Sequence, residues 1–534
     1  MTSDAKRRGL DPLKVVFALA YVMQGLANPF QGVTTLPFLR HLQHGYGLSE
    51  GAAQDLFAKS YLAWSFKPVI GFLIDAYGRT RTLLIGLLGF ASLGYLLTPL
   101  VDRGPMIFFA AMFALSVVMA GSDVAVDRAT VISGDEEARA TGKSRATTVG
   151  LNQAICWLAI YGTSIVAALL GGYIADHVPF RTLVISLAAV PLMVLVPVLR
   201  LPRDTAVPIP LTRSIAQFWS GLNSGSVLGV MLFYFLFYFQ PQAGPLFYNY
   251  QEKTLHFTQT QIGVGTAAGM AGYFAGVLLF MWKGVRWQER YGMRKLFRRY
   301  IVAGALFSLT QYLLLDPWFS EITGAVSRAL PFLGTGSVRV GFLSLNTALQ
   351  SAATSLFAMS TMSLVGAIVP PAAAGSLFAG FMSVTNLAYS ASYGSGGWLY
   401  DHGMSVAPLR GLQHALFGIA GGPADKLSLN VLILIGSVAY FASFVAVHML
   451  PDRAATVSSD GQATAGPERW QALPSGLRRA INAIAVAAGA AVLGWLLFRW
   501  KMAPVSSVLL TFLGICLVRK AVLDALLRRR PAAA

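Results

Sequence analysis

The sequence predicts an all-α polytopic membrane protein of two six-helix bundles followed by two extra C-terminal transmembrane helices. Three observations carry this. Mean hydropathy is +0.59 and only 12% of residues are charged, about half the roughly 25% usual in soluble domains. Apolar runs long enough to cross a bilayer, about 20 residues each, recur along the chain. The basic residues fall in short clusters between those runs, so the net charge of +18 is a topology signal and not a nucleic-acid-binding face.

Twelve helices are expected before Pro451, at about 13–39, 52–76, 82–101, 105–132, 148–172, 180–199, 226–250, 261–282, 299–315, 340–368, 375–400 and 428–450. The first follows Lys6, Arg7, Arg8 and Lys14, exceeds a signal-peptide core and lacks a small-residue cleavage site, so it is read as retained. Two more helices are expected near 481–499 and 503–523. Loops assigned to the cytoplasm carry Arg79 and Arg81, then Arg139, Lys143 and Arg145, then Arg200, Arg203 and Arg213. The strongest carries Lys283, Arg286, Arg290, Arg294, Lys295, Arg298 and Arg299. The opposite loops mix signs, as in Asp102 with Arg103 and Asp176 with Arg181, or are acidic, as in Asp316 with Glu321, so both termini are placed in the cytoplasm. The short N-terminus has no transit-peptide composition, which suits a bacterial inner membrane.

The stretch 201–225, with Pro202, Pro208 and Pro210, divides the helices six and six. Residues 1–200 and 226–450 are the expected bundles, 451–478 a flexible linker, and 479–534 a hairpin with a basic tail. Asp75-Ala76-Tyr77-Gly78-Arg79-Thr80-Arg81 is echoed by Glu289-Arg290-Tyr291-Gly292-Met293-Arg294-Lys295, as parallel repeats would require. Cys156 and Cys516 sit in separate apolar runs with no metal-ligand spacing, and no nucleophile with a base or phosphate loop is visible. Neither a cofactor nor an enzyme is expected.

In WSFKPVIGFLIDAYGRTR, Gly71 allows close helix approach, Asp75 sits near the interface, Gly78 makes the turn, and Arg79 and Arg81 mark the wet side. The order is similar to the signature loop of the major facilitator superfamily, which implies a cytoplasmic gate latch. A positive-inside turn with no gating role would look alike. Asp127 and Arg128 lie at a depth from which they could reach this turn, and are assigned to the same gate.

Ionisable residues inside apolar helices are costly and mark sites by default. Lys67 lies about 12 Å deeper than Asp75 along the second helix, and Asp123 about 15 Å from an exit expected near Ser133. The two should share a depth, where they either pair or face a cavity. There Lys67 would meet an anionic substrate and Asp123 would take a proton; a permanent structural salt bridge is the bland alternative. Pro68 should bend the helix beside them. Gln24, Asn28 and Gln31, spaced at three to four residues, share one face of the first helix, which Pro29 interrupts among them, and should line the cavity, unless they only bond between helices. Asn152, Gln153, Asn346 and Gln350 are weaker candidates. Gln240, Gln242, Tyr248 and Asn249 surround Pro241 and Pro245, where amides among rings suit a flat heterocycle, although aromatics also serve as packing or lipid belts.

Together, WSFKPVIGFLID, GSDVAVDRATV, FQPQAGPLFYNYQEKTLHFT and PPAAAGSLFAGFMSVTNLAYSASYGSGGWL resemble the folate-biopterin transporters of the major facilitator superfamily over about residues 20–450. The resemblance implies proton-coupled transport of a folate or pterin-like anion, with Lys67, Asp123, Asp127 and Asn386 at family positions. The partners expected are that small molecule, protons and the lipid bilayer, with the protein a monomer. Ala374 departs from the family's acidic residue ahead of Gly375, and the paired C-terminal helices are not part of the family core. Alternatives are carriage of a different small organic anion, or a non-transporting assembly or pigment-delivery role that would tolerate loss of Lys67.

Overall fold

The computed structural model describes residues 11–201, 210–215, 225–369, 374–417 and 426–447, with isolated positions between 474 and 511. The expected linker and C-terminal hairpin, and most of the central loop, lie outside the described residues. Every described element is helical. The first six crossings are α1 (Pro12–Ala27) with α2 (Thr35–Arg40), α3 (Glu50–Ser65) with α4 (Lys67–Tyr77), α5 (Thr80–Leu97), α6 (Pro105–Thr141), α7 (Arg145–His177), and α8 (Phe180–Ser186) with α9 (Ala189–Arg200). The next six are α10 (Gly225–Tyr238) with α11 (Pro245–Lys253), α12 (Gln259–Leu279) with α13 (Val285–Tyr291), α14 (Met293–Leu309), α16 (Thr335–Ile368), α17 (Ala379–His402) and α19 (Leu429–Val447). Two amphipathic helices, α15 (Trp318–Ala329) and α18 (Ala407–Phe417), lie between crossings. At 12 and 11 residues each is far shorter than a span.

Five described runs are long and apolar enough to cross a membrane on their own: Thr80–Leu100, Pro105–Thr141, Arg145–His177, Phe180–Arg200 and Gln259–Gly284. Of the others, the first, second and seventh crossings are divided, α14 opens with basic residues, α19 is apolar but shorter, and α16 and α17 carry buried serines that lower their mean hydropathy.

The breaks in the first and second crossings have local causes. Pro29 pushes Asn28 out of the helical region, to φ −66° and ψ 124°, so α1 ends at Ala27. The carbonyls set free are taken by side chains: Tyr95 donates its hydroxyl to Ala27, and Thr34 donates to Asn28 at 3.1 Å and Pro29 at 2.6 Å. The interruption expected at Pro29 is thus a full break, and it overturns the single face expected for Gln24, Asn28 and Gln31. At the second break Pro68 cannot donate to the Trp64 carbonyl four residues back. Ser383 of α17 supplies a hydroxyl to that carbonyl at 3.4 Å. The seventh crossing opens over residues 239–244, between α10 and α11, at the break expected around Pro241 and Pro245.

Helix α6 corrects another expectation. It does not leave the bundle near Ser133 but continues to Thr141, where Gly142 at φ +70° ends it. Gly134 is no breaker because it packs directly against Val149, where a Cβ would come within 2.6 Å of a methyl carbon. The projecting turns bring Glu137 to Lys14 at 3.1 Å and Asp135 to Arg145 at 3.2 Å.

The two halves meet where α7 packs on α12 and α16, and where α3 and α4 pack on α17. Glycines permit the closest approach: a Cβ on Gly172 of α7 would come within 2.6 Å of the Gln259 carbonyl of α12, and one on Gly263 of α12 within 2.7 Å of the Ala168 carbonyl. Each half has its own buried apolar cluster, one around Phe17, Phe38 and Phe108 and one around Phe233, Phe297 and Phe357.

Candidate functional site

Four helices of the first half converge on a polar core. The ammonium of Lys67, the first residue of α4, pairs with Asp123 Oδ2 of α6. These side chains are only 3% and 2% exposed, so the pair is cut off from bulk water. Trp64 sets its ring 5.0 Å from the ammonium. Gln24 of α1 donates to the other oxygen, Oδ1, at 2.7 Å, so Asp123 has both oxygens engaged.

One turn along α6, Asp127 does not reach the Arg79 and Arg81 turn as expected. It accepts from Tyr21 at 2.8 Å and from Gln153 at 3.1 Å, both on Oδ1, while Oδ2 is buried without a hydrogen-bond partner. Gln153 also donates to Thr130 at 2.8 Å, and Asn152 to the Thr130 carbonyl at 3.2 Å, which fixes α7 against α6. Both oxygens of Asp123 are therefore engaged, while Asp127 keeps one without a partner.

From Tyr21 a row of rings crosses into the second half. Tyr21 meets Trp157 edge-on at 6.1 Å, Trp157 lies 5.4 Å from Tyr161, and Tyr161 of α7 stacks on Tyr273 of α12 at 4.8 Å and 15°. A second row joins Tyr238 to Tyr389 at 5.7 Å and Tyr389 to Tyr61 at 5.3 Å, with Tyr393 5.4 Å from Tyr61. Sequence reasoning missed these tyrosines because their partners lie on different helices.

Contacts close the two halves at both ends. At the basic end, Asp75 accepts from Arg128 at 3.0 Å and from the main-chain N–H of Ser376 at 3.1 Å. Gly71 lies so near the Gly375 carbonyl that a Cβ would come within 2.6 Å. Arg128 also reaches the Thr80 hydroxyl at 3.3 Å, and Arg81 donates to the carbonyls of Val198 and Leu199 at 3.3 and 2.9 Å. Gly78, at φ +68°, makes the turn, with Arg79 just before α5. Gly292 in the echoed segment also has positive φ, +72°.

At the opposite end the central residue is Gln54, which the sequence did not single out. It donates to the Ala243 carbonyl at 3.0 Å and accepts from the Leu246 N–H at 3.2 Å, filling both groups freed by the seventh-crossing break. Glu50 adds Lys253 at 2.6 Å and Tyr400 at 3.0 Å, and Asp176 bridges Arg40 at 2.8 Å and Thr260 at 2.9 Å.

The other expected ligand residues stand apart from the Lys67 core. Asn28 turns to Gln31 at 3.3 Å within the break. Gln240 uses its main-chain N–H to bond Ser392 at 2.8 Å, and Gln242 pairs with Gln311 at 2.9 Å. Asn346 bonds Thr310 at 2.9 Å, and Asn386 bonds Met382 of its own helix at 3.0 Å. Tyr248 packs at the edge of the first-half core, beside Asn249, whose buried amide has no partner. Among the described residues no cluster of His, Cys, Asp and Glu could hold a metal.

Two helical bundles closed on each other at both ends, around a buried ion pair and rows of aromatic rings, make a polytopic helical membrane fold. The fold is similar to that of a human organic anion transporter, with TM-score 0.52 and 16% identity, covering 82% of this chain and 98% of that one. It is also similar to a D-xylose-proton symporter, with TM-score 0.52 and 16% identity, covering 83% and 98%. The chain belongs to the BT1 family, whose sequence profile matches residues 24–467. A relative is the folate-biopterin transporter of Synechocystis sp., 27% identical over 438 residues that cover 78% of this chain and 80% of that one.

Proposed function

We propose that this chain is a secondary active transporter of folate- or pteridine-like aromatic anions, driven by protons and working by alternating access. It would act as a monomer in the cell inner membrane, with both termini in the cytoplasm. The observation that carries the reading is the joining of a buried cation, Lys67, to the ring row through the Asp123, Asp127 and Tyr21 core. A flat anion needs a cation for its charge and ring faces for its heterocycle. The relative's name supports the pteridine class.

In this reading the substrate anion displaces Asp123 from Lys67, and the carboxylate so released takes a proton. Asp127 Oδ2 is a second acceptor one turn away. The Asp75 and Gln54 contacts are the two gates, opened in alternation.

Uptake of labelled folate into proteoliposomes, with and without an inward proton gradient, tests the proposal. Gradient-dependent uptake lost in both Lys67→Ala and Asp123→Asn is expected. A folded wild type that takes up no folate would overturn the substrate, and uptake indifferent to the gradient would overturn the coupling.

A further inference from the structure

The transport reading leaves the basic start of the ninth crossing unused. Helix α14 opens with Arg294, Lys295, Arg298 and Arg299 in its first two turns. Arg299 lies over the Tyr291 ring at 4.6 Å, and Arg298 is exposed with no hydrogen-bond or ion-pair partner among the described residues. Both arginines stand at the mouth of a groove of about 520 Å³, whose other walls are Val302, Ala303 and Leu306 of α14 and Phe444 of α19. Val302 and Leu306 are 45% and 59% exposed, so the apolar floor is open to its surroundings.

The dimensions select the occupant. From Arg299 to Leu306 is about 10 Å along the helix, the depth of the first part of an acyl chain below its phosphate. A free phosphate has no use for the apolar floor, and an uncharged lipid has no use for the arginines. The chain's own C-terminal tail would bring Arg528, Arg529 and Arg530 toward like charge.

We propose that this groove binds one anionic glycerophospholipid of the adjoining leaflet. Its phosphate sits between Arg298 and Arg299, and one acyl chain lies over Val302, Leu306 and Phe444. Guanidinium groups suit the phosphate because they donate in a fixed fork and shed water readily. Lys283, 4.5 Å from the exposed Trp282 ring, belongs to the same basic collar.

Native mass spectrometry of the full chain with added long-chain phosphatidylglycerol or phosphatidylcholine tests this. Phosphatidylglycerol should be retained in preference, and R298Q/R299Q should lower its retention by about tenfold. Ala303→Phe, which fills the groove without altering charge, should do the same. K143Q/R200Q, removing equal charge from exposed positions at the basic end of the first half, should leave retention nearly intact, and glycerol phosphate should not compete. Equal retention of the two lipids, equal loss in K143Q/R200Q, or retention unchanged in R298Q/R299Q or Ala303→Phe would overturn the site. Retention restored by deleting residues 479–534 from a wild type that holds no lipid would assign the groove to the C-terminal segment instead.

Discussion

Asp75 on α4 accepts the main-chain N–H of Ser376 at 3.1 Å, so one carboxylate ties the end of the second crossing to the start of the eleventh. Arg128 holds the same carboxylate from α6 at 3.0 Å. Asp75→Asn keeps the shape but removes the charge from both bonds, which are worth about 1.5–3 kcal/mol each when a charged group takes part. The basic end should then open. Spin labels at Lys143 and Lys295, exposed residues on the two halves at that end, should show a longer mean separation. A distance distribution like that of the wild type would mean that Asp75 is not a latch.

Gln54 plays the matching part at the opposite end, through two bonds to the main chain of the seventh-crossing break. Gln54→Leu leaves a buried carbonyl and a buried N–H unpaired, at a cost of about 1–3 kcal/mol each. The melting temperature should fall and amide exchange over 240–246 should quicken. Gln54→Glu keeps an acceptor for Leu246 but sets a buried carboxylate against the Ala243 carbonyl, so it should be no milder than Gln54→Leu. Exchange unaltered in Gln54→Leu would show that something else holds the break.

Much of this was legible from the sequence. Lys67, Asp75 and Asp123 stood out because a charge inside an apolar run demands a partner, and the structure supplies one for each. Ser376 could not be found that way, because it acts through its main-chain N–H, which carries no residue signature. Gln54 sits near a helix start where amides are ordinary. Asp127 was misplaced because its distance along α6 was legible and the direction of its side chain was not. Pro29 was visible, but whether it would kink or end the first helix depended on Tyr95 and Thr34 being in reach of the freed carbonyls.

Asp127 Oδ2 has no partner, and this separates its role from that of Asp123. Asp127→Asn preserves an oxygen for Tyr21 and removes the site for a proton. Substrate exchange without a gradient should survive in this variant, while uptake driven by an inward proton gradient should drop. Loss of both activities together would place Asp127 in substrate binding or folding instead.

The stack of Tyr161 on Tyr273 spans the two halves. If a flat ring system inserts beside it, Tyr161→Phe should retain the apparent affinity for folate and Tyr161→Ala should weaken it by about tenfold, as expected when one stacking face is removed. Saturation curves of proteoliposome uptake would decide. Equal half-saturation in the alanine variant and the wild type would remove this pair from the substrate path.

Lys67 and Asp123 could be a fixed brace or a working site, and the two readings diverge when both charges are removed. Lys67→Met alone leaves a buried carboxylate uncompensated, which destabilises by about 3–5 kcal/mol. Lys67→Met with Asp123→Leu removes both charges and should recover most of the lost melting temperature, since apolar replacements of a buried pair are often neutral or stabilising. A brace would then be fully replaced, and uptake would return with stability. In a site where Lys67 meets the anion and Asp123 the proton, stability returns and uptake does not. Melting curves in detergent beside uptake in proteoliposomes, on the same two preparations, separate these outcomes, and a double variant that transports folate would reduce the pair to a structural contact.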